Sequence, residues 1–311
     1  MILSFATSVT KRGFERCTGV KTSTVAAIAL LAELLSPWAP RVAAAPASPA
    51  PWAKEEVQKS VQSRRRLVVR VYVPLCDNDQ IDCGGVKAGD PSDLEHNLYW
   101  GAIFGQRRFF SRKSGRFERV PQPGWSAEGP HLERAVFKKR FAGGPWGAEE
   151  DVMLYVVLDA FRGGAIDDVV DRFYREAEAG GAILIEDGEE TRTERVDVVG
   201  YAGHNRMMDG KAPPPRLPDG DARGADRAPI PSFVMACRSA AYFATPLKER
   251  GSEPILMTRD LMAPEGYVVD AIVNGLAANE SKARIRARVV KAYADAHQIE
   301  ERVASSIFAR D

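Results

Sequence analysis

Six short runs decide what this chain can fold into: 67–73 (LVVRVYV), 135–141 (AVFKKRF), 152–158 (VMLYVVL), 196–202 (VDVVGYA), 233–237 (FVMAC) and 254–258 (PILMT). Four of them, 67–73, 152–158, 196–202 and 233–237, are almost wholly apolar and lack an alternating polar face. A strand of that kind is buried on both sides, the condition of a central strand in a parallel sheet covered by helices. The run 135–141 fits a short edge strand. Helical spacing of apolar residues predicts helices over 94–110, 166–179, 239–249, 264–276 and 281–296. Strands alternating with helices imply an α/β domain around a mostly parallel sheet of about six strands.

Glycine and proline mark the breaks. Residues 111–130 carry Gly115, Pro121, Pro123, Gly124 and Pro130 and read as loop. So does 212–229, whose Pro, Gly and Asp residues would suit proteolytic processing. The domain is expected over 67–276, with helices over 277–311 packed on it through Ile285, Val289, Ala292, Tyr293 and Ala296.

Ahead of the domain, Lys11, Arg12, Arg16 and Lys21 precede the apolar stretch 25–35 and the small-residue run Ala43-Ala44-Ala45. These are the three parts of a secretory signal, so 1–45 is expected to export the protein to the periplasm or the extracellular space. The alternatives are an uncleaved anchor at 25–35 or a cytoplasmic protein. The apolar stretch is short for a span and contains Glu33, so no stable membrane span is expected. Residues 46–66 would form a linker, with Arg64-Arg65-Arg66 solvated.

Forty-three Lys and Arg balance 42 Asp and Glu, a formal net charge of +1. Nothing in that balance points to nucleic acid or an acidic membrane surface. The paired glycines form no GxxxxGK[ST] or GxGxxG, and no GxSxG occurs. Hence no cofactor is expected, and the missing GxSxG argues against a serine hydrolase of the nucleophile-elbow type. His96, His131 and His297 read as surface residues.

Cys76 and Cys83 lie close together in an Asp/Gly loop and would pair in an oxidising compartment, or Cys76 is a buried strand-end residue and no bond forms. A second ligand pair at zinc spacing is missing, so no metal is expected. Either way Cys237 is the thiol to examine.

In parallel α/β sheets functional residues gather beyond the carboxyl ends of strands. His204 follows the run 196–202 through Gly203, and Cys237 ends the run 233–237. A thiol needs a base or ion-pair partner to act as nucleophile at neutral pH, and histidine is the usual one.

This pattern resembles the caspase-like cysteine peptidases, which include caspases, metacaspases, gingipains and legumains. Their mark is an apolar block followed by His-Gly, then a second apolar block ending in Ala-Cys. Here these are 196–202 with Gly203-His204, and 233–236 with Cys237-Arg238. The order continues through 254–258 and Ala263-Pro264-Glu265. The resemblance implies a three-layer sandwich and an endopeptidase acting on protein or peptide substrates. Cys237 would attack the scissile carbonyl and His204 would protonate the leaving amine. Backbone amides of Gly203, Asn205 and Cys237 would hold the oxyanion, and Asp77 and Asn78 would lie on the substrate side. The sequence departs at Asn205, where those peptidases usually have glycine. Asparagine keeps the amide N–H and tolerates positive φ better than most residues.

Two other functions fit the same residues: an inactive caspase-like binding module, which Asn205 favours, and a thiol-dependent transferase on a similar sheet. No oligomeric state follows from the spacing.

Overall fold

A computed structural model of the chain describes residues 50–80, 82–83, 86–115, 117–218 and 228–310. The expected export signal, with 25–35, lies outside the described residues, as does 219–227 of the expected processing loop.

Helix α1 (Glu55–Arg64) leads into β1 (Arg66–Leu75). The two-residue strands β2 (Asp82–Cys83) and β3 (Val86–Lys87) precede the short helix α2 (Gln106–Phe110). Strands β4 (Glu118–Val120), β5 (His131–Phe141) and β6 (Val152–Arg162) follow. After α3 (Ile166–Ala179) come the hairpin of β7 (Ala182–Asp187) and β8 (Glu190–Arg195), then β9 (Val198–Ala202) and β10 (Ser232–Met235). The rest is α4 (Ser239–Glu249), β11 (Pro254–Leu256), α5 (Gly266–Ala277), α6 (Lys282–His297) and α7 (Glu301–Ile307).

The main sheet has seven strands in the order β11-β10-β9-β1-β6-β5-β4. The first five run parallel; β5 continues the sheet antiparallel to β6, and β4 pairs antiparallel with β5. Numbered along the chain, the five parallel strands lie 2-1-3-4-5, so the winding reverses between β1 and β9. Because parallel crossovers are right-handed, connections on either side of that reversal leave to opposite faces. A crevice therefore opens outside the carboxyl ends there.

Aromatic side chains fix α3 and α4 on one face. Tyr174 of α3 stacks on Phe243 of α4 with centroids 5.8 Å apart, and Tyr201 of β9 lies 5.8 Å from Phe173 and 5.9 Å from Phe243. Gly200 makes room for the next strand: a Cβ there would meet the Phe233 ring of β10 at 2.2 Å. Helix α5 packs on α2 and β6, α6 packs on α5 and β11, and α7 packs on α6. Among the described residues, no helix is long and apolar enough to cross a membrane.

Several expectations change. The predicted helix over 94–110 is mostly turns, with only Gln106–Phe110 helical. Side chains compete with the helical ladder there: Asp93 Oδ1 accepts the N–H groups of Glu95 and His96, and buried Asn97 donates to the carbonyls of Cys76 and Asp90. The predicted edge strand is the eleven-residue β5, paired on both sides, and the edge is β4, inside the stretch read as loop. Seven strands, rather than six, make the main sheet. The expected linker contains α1 and buried Trp52, whose indole N–H donates to the Leu276 carbonyl at 2.8 Å. Arg64 is not simply solvated, since it bonds Asp197 at 2.5 Å.

Candidate functional site

Strands β9 and β10 are parallel neighbours with Ala202 opposite Met235. His204 and Cys237 each stand two residues further on, so both leave the sheet at its carboxyl edge, next to the reversal between β1 and β9. Gly203 is needed at this point, because a Cβ would lie 2.8 Å from Pro74 Cγ at the end of β1.

The His204 loop is tied down from both directions. The Tyr201 hydroxyl donates to the His204 carbonyl at 2.8 Å. Asn205 caps a 3-10 turn, Arg206–Asp209, by accepting the Met207 N–H at 3.1 Å. That turn brings Asp209 Oδ2 to 2.7 Å from His204 Nε2. Arg206 steadies the carboxylate at 3.2 Å and reaches Asp167 Oδ1 at 2.9 Å. Burial pushes the Asp209 pKa up, but the hydrogen bond and charge of His204, with those of Arg206, outweigh it and hold the carboxyl below its usual range. A carboxylate on one ring nitrogen fixes the orientation of an imidazole. Asp209 was not singled out from the sequence; the signal that could have found it is the Asn205 cap opening a turn that ends on an acid.

Asn205 acts in an unexpected way. Its φ is −85°, so it does not imitate glycine through positive φ. Instead its buried side chain donates from Nδ2 to the Cys237 carbonyl at 2.6 Å, spanning 32 residues. Through this contact Asn205 binds the histidine loop to the cysteine loop.

Cys237 turns directly from β10 into α4. Arg238, between them, adopts φ 51° and donates its N–H to the Asp260 carbonyl at 3.0 Å. Below it, buried Ser239 and Thr258 lock the turn: Ser239 Oγ donates to the Val234 carbonyl at 2.8 Å and accepts the Thr258 N–H at 2.9 Å, and Thr258 Oγ1 donates to the Ala236 carbonyl. The Cys237 thiol, partly exposed, donates to the Met262 carbonyl at 3.5 Å and accepts the Met262 N–H at 3.4 Å. Among the described residues no hydrogen bond joins the His204 ring to this thiol; the two loops meet through Asn205.

Of the three expected oxyanion amides, Gly203 N–H is already engaged, donating to the Met235 carbonyl at 3.1 Å. That corrects the set, because a ladder amide cannot also serve an oxyanion. The N–H groups of Asn205 and Cys237 have no acceptor among the described residues. Asp77 and Asn78 shape their own loop: Asp77 Oδ1 accepts the N–H groups of Asp79 and Gln80, and Asn78 Oδ1 accepts that of Gly89. Cys76 is buried just beyond β1. The Cys83 side chain, and with it the expected bond to Cys76, lies outside the described residues. No cluster of three His, Cys, Asp or Glu suited to a metal occurs among the described residues.

Compared with known proteins, the chain matches no family model, no curated protein and no solved structure.

Proposed function

We propose that the carboxyl edge of the sheet is a caspase-like cysteine endopeptidase site, with Cys237 as nucleophile and His204 as acid and base. The observation that carries this reading is the placement of His204 and Cys237 at the same level beyond adjacent parallel strands, with Asn205 clamping their loops together at 2.6 Å. The 2-1-3-4-5 order supports it by setting the crevice at the same edge.

In the reaction, the Cys237 thiolate attacks the scissile carbonyl carbon and a C–S bond forms while the oxygen takes the negative charge. The amides of Asn205 and Cys237 receive that oxyanion. His204, oriented by Asp209, gives its proton to the leaving nitrogen as the C–N bond breaks. Water then attacks the thioester, His204 takes its proton, and the thiolate leaves. Together with the basic and apolar amino-terminal segments and the Ala run, the reading is of an exported peptidase.

Labelling with a peptide acyloxymethyl ketone tests it. The expected result is a single adduct on Cys237, absent in Cys237→Ala and strongly reduced in His204→Ala. Folded wild-type protein that stays unlabelled sinks the proposal and leaves the binding module. Hydrolysis of a peptide library separates a peptidase from a thiol transferase.

A further inference from the structure

Away from that edge, an open groove of about 820 Å³ runs beside β11, the outermost parallel strand. Ile255, Leu256 and Met257 line it with Ala240 and Ala244 of α4, giving an apolar floor. Neither His204 nor Cys237 borders it.

Three observations indicate what the groove would accept. First, the chain just past β11 already takes an extended segment beside it: Thr258 forms a single antiparallel bridge with Phe308, the Ala309 N–H donates to the Met257 carbonyl at 2.9 Å and the Arg259 N–H donates to the Ile307 carbonyl at 2.6 Å. The groove continues this edge toward the start of β11. Second, its rim carries Lys54, Lys248, Lys282 and Arg310 against the single acid Glu253. Lys54 and Lys282 share Glu253, while Lys248 and Arg310 have no ion-pair partner among the described residues. Third, a second copy of this chain would bring the same cations face to face.

We propose that the β11 edge is a docking site for an extended acidic peptide segment, added as a further strand. Its apolar side chains would rest on Ile255 and Ala244, and its carboxylates would meet Lys248 and Arg310. Backbone pairing would supply affinity, and the cationic rim would select for acid.

The test uses the full chain and three short fluorescein-labelled peptides that alternate valine with glutamate, glutamine or lysine, read by fluorescence anisotropy. The valine–glutamate peptide should bind about tenfold or more tighter than the glutamine one, with the lysine one weakest. Lys248→Glu with Arg310→Glu should remove that preference while Cys237→Ala binds as wild type, and hydrogen exchange should slow at 255–257. Equal binding of the three peptides overturns the proposal. So does a valine–glutamate affinity that survives the double variant, or unchanged exchange at 255–257 in the bound state. A single-stranded oligonucleotide binding as tightly as the peptide would show a general polyanion patch instead. Concentration-dependent dimers, lost in the double variant, would show that the face serves a second copy.

Discussion

Two histidine–aspartate pairs in this protein have nearly the same geometry and quite different surroundings. His204 Nε2 lies 2.7 Å from Asp209 Oδ2 at the sheet edge; His131 Nε2 lies 3.0 Å from Asp159 Oδ1 inside the wing made by β5 and β6. Asp209 is 38% exposed, whereas Asp159 has no exposed surface at all. Around Asp159 the charges close on themselves. Arg70 and Arg134 each bond it at 2.7 Å, Arg70 leans toward Glu176 at 3.4 Å, and the Tyr72 hydroxyl donates to Glu176 at 2.8 Å. His131 is packed between rings, stacked on Phe161 and edge-on to Trp125, although its place in a predicted loop suggested a surface residue. At Asp209 the network is half open: among the described residues only His204 and Arg206 reach the carboxylate. A carboxylate closed in by two guanidinium groups and an imidazole serves to hold the sheet together. A half-exposed one at the mouth of a crevice can hold its imidazole in place for a substrate.

The largest expected effect follows from that difference. Asp159→Ala leaves two guanidinium groups in the sheet without their carboxylate, and breaking such a buried pair costs about 3–5 kcal/mol. Urea unfolding should show that loss, whereas Asp209→Ala should cost about 0–1 kcal/mol, as exposed pairs do. Similar losses from both variants would erase the distinction.

Acid sharpens it. Burial alone would raise the Asp159 pKa, but Arg70, then His131 and Arg134, outweigh it and hold the carboxyl far below its usual range. A carboxylate whose folded pKa is depressed contributes its stability above the unfolded value, near pH 4, and loses it as pH falls toward the folded one. The melting temperature of wild type should therefore fall below about pH 4. Asp159→Asn should start lower at neutral pH and lose less across the same window. A parallel drop in both proteins would assign acid sensitivity to other groups.

Next in size is Asn205, the link between the two loops. Asn205→Ala leaves the Cys237 carbonyl and the Met207 N–H without their side-chain partners, a cost of about 1–3 kcal/mol. Asn205→Gly separates two views of the position. If the residue mattered only through its backbone amide, glycine would preserve ketone labelling of Cys237. The side-chain bridge predicts that labelling falls in Gly and Ala variants alike.

Local pattern carried the reading as far as local pattern reaches. The strands β1, β6, β9 and β10 were legible because burial on both faces writes itself into consecutive residues, and His204 and Cys237 followed as the polar residues at their ends. The hairpin of β7 and β8 was not: one strand is largely solvent-facing and charged, as in Glu190, Arg192 and Arg195, and only Glu194 of it is buried. Helix α1 was hidden behind a Pro/Ala stretch and three arginines, of which Arg64 finds its partners, Glu194 and Asp197, 130 and 133 residues away. Asn205 was marked as a departure in backbone conformation, and its function lay in a contact with a carbonyl 32 residues on. Pairings of that separation leave no periodic trace.

Asp209 gives the smallest change in stability and the most direct test of the comparison. In Asp209→Asn the side chain keeps its size and can still bond His204 and Arg206, so the fold should lose no more than about 1 kcal/mol. What disappears is a negative charge 2.7 Å from the imidazole. If that charge prepares His204 to carry a proton, the rate of ketone labelling at Cys237 should fall several-fold while the melting temperature barely moves, and Asp209→Glu should recover part of it. His131 supplies the control: His131→Phe should lower the melting temperature, by freeing a lone pair of Asp159, and leave the labelling rate alone. Labelling that follows stability in both variants would make the two histidines equivalent and Asp209 a surface residue with no part in the chemistry.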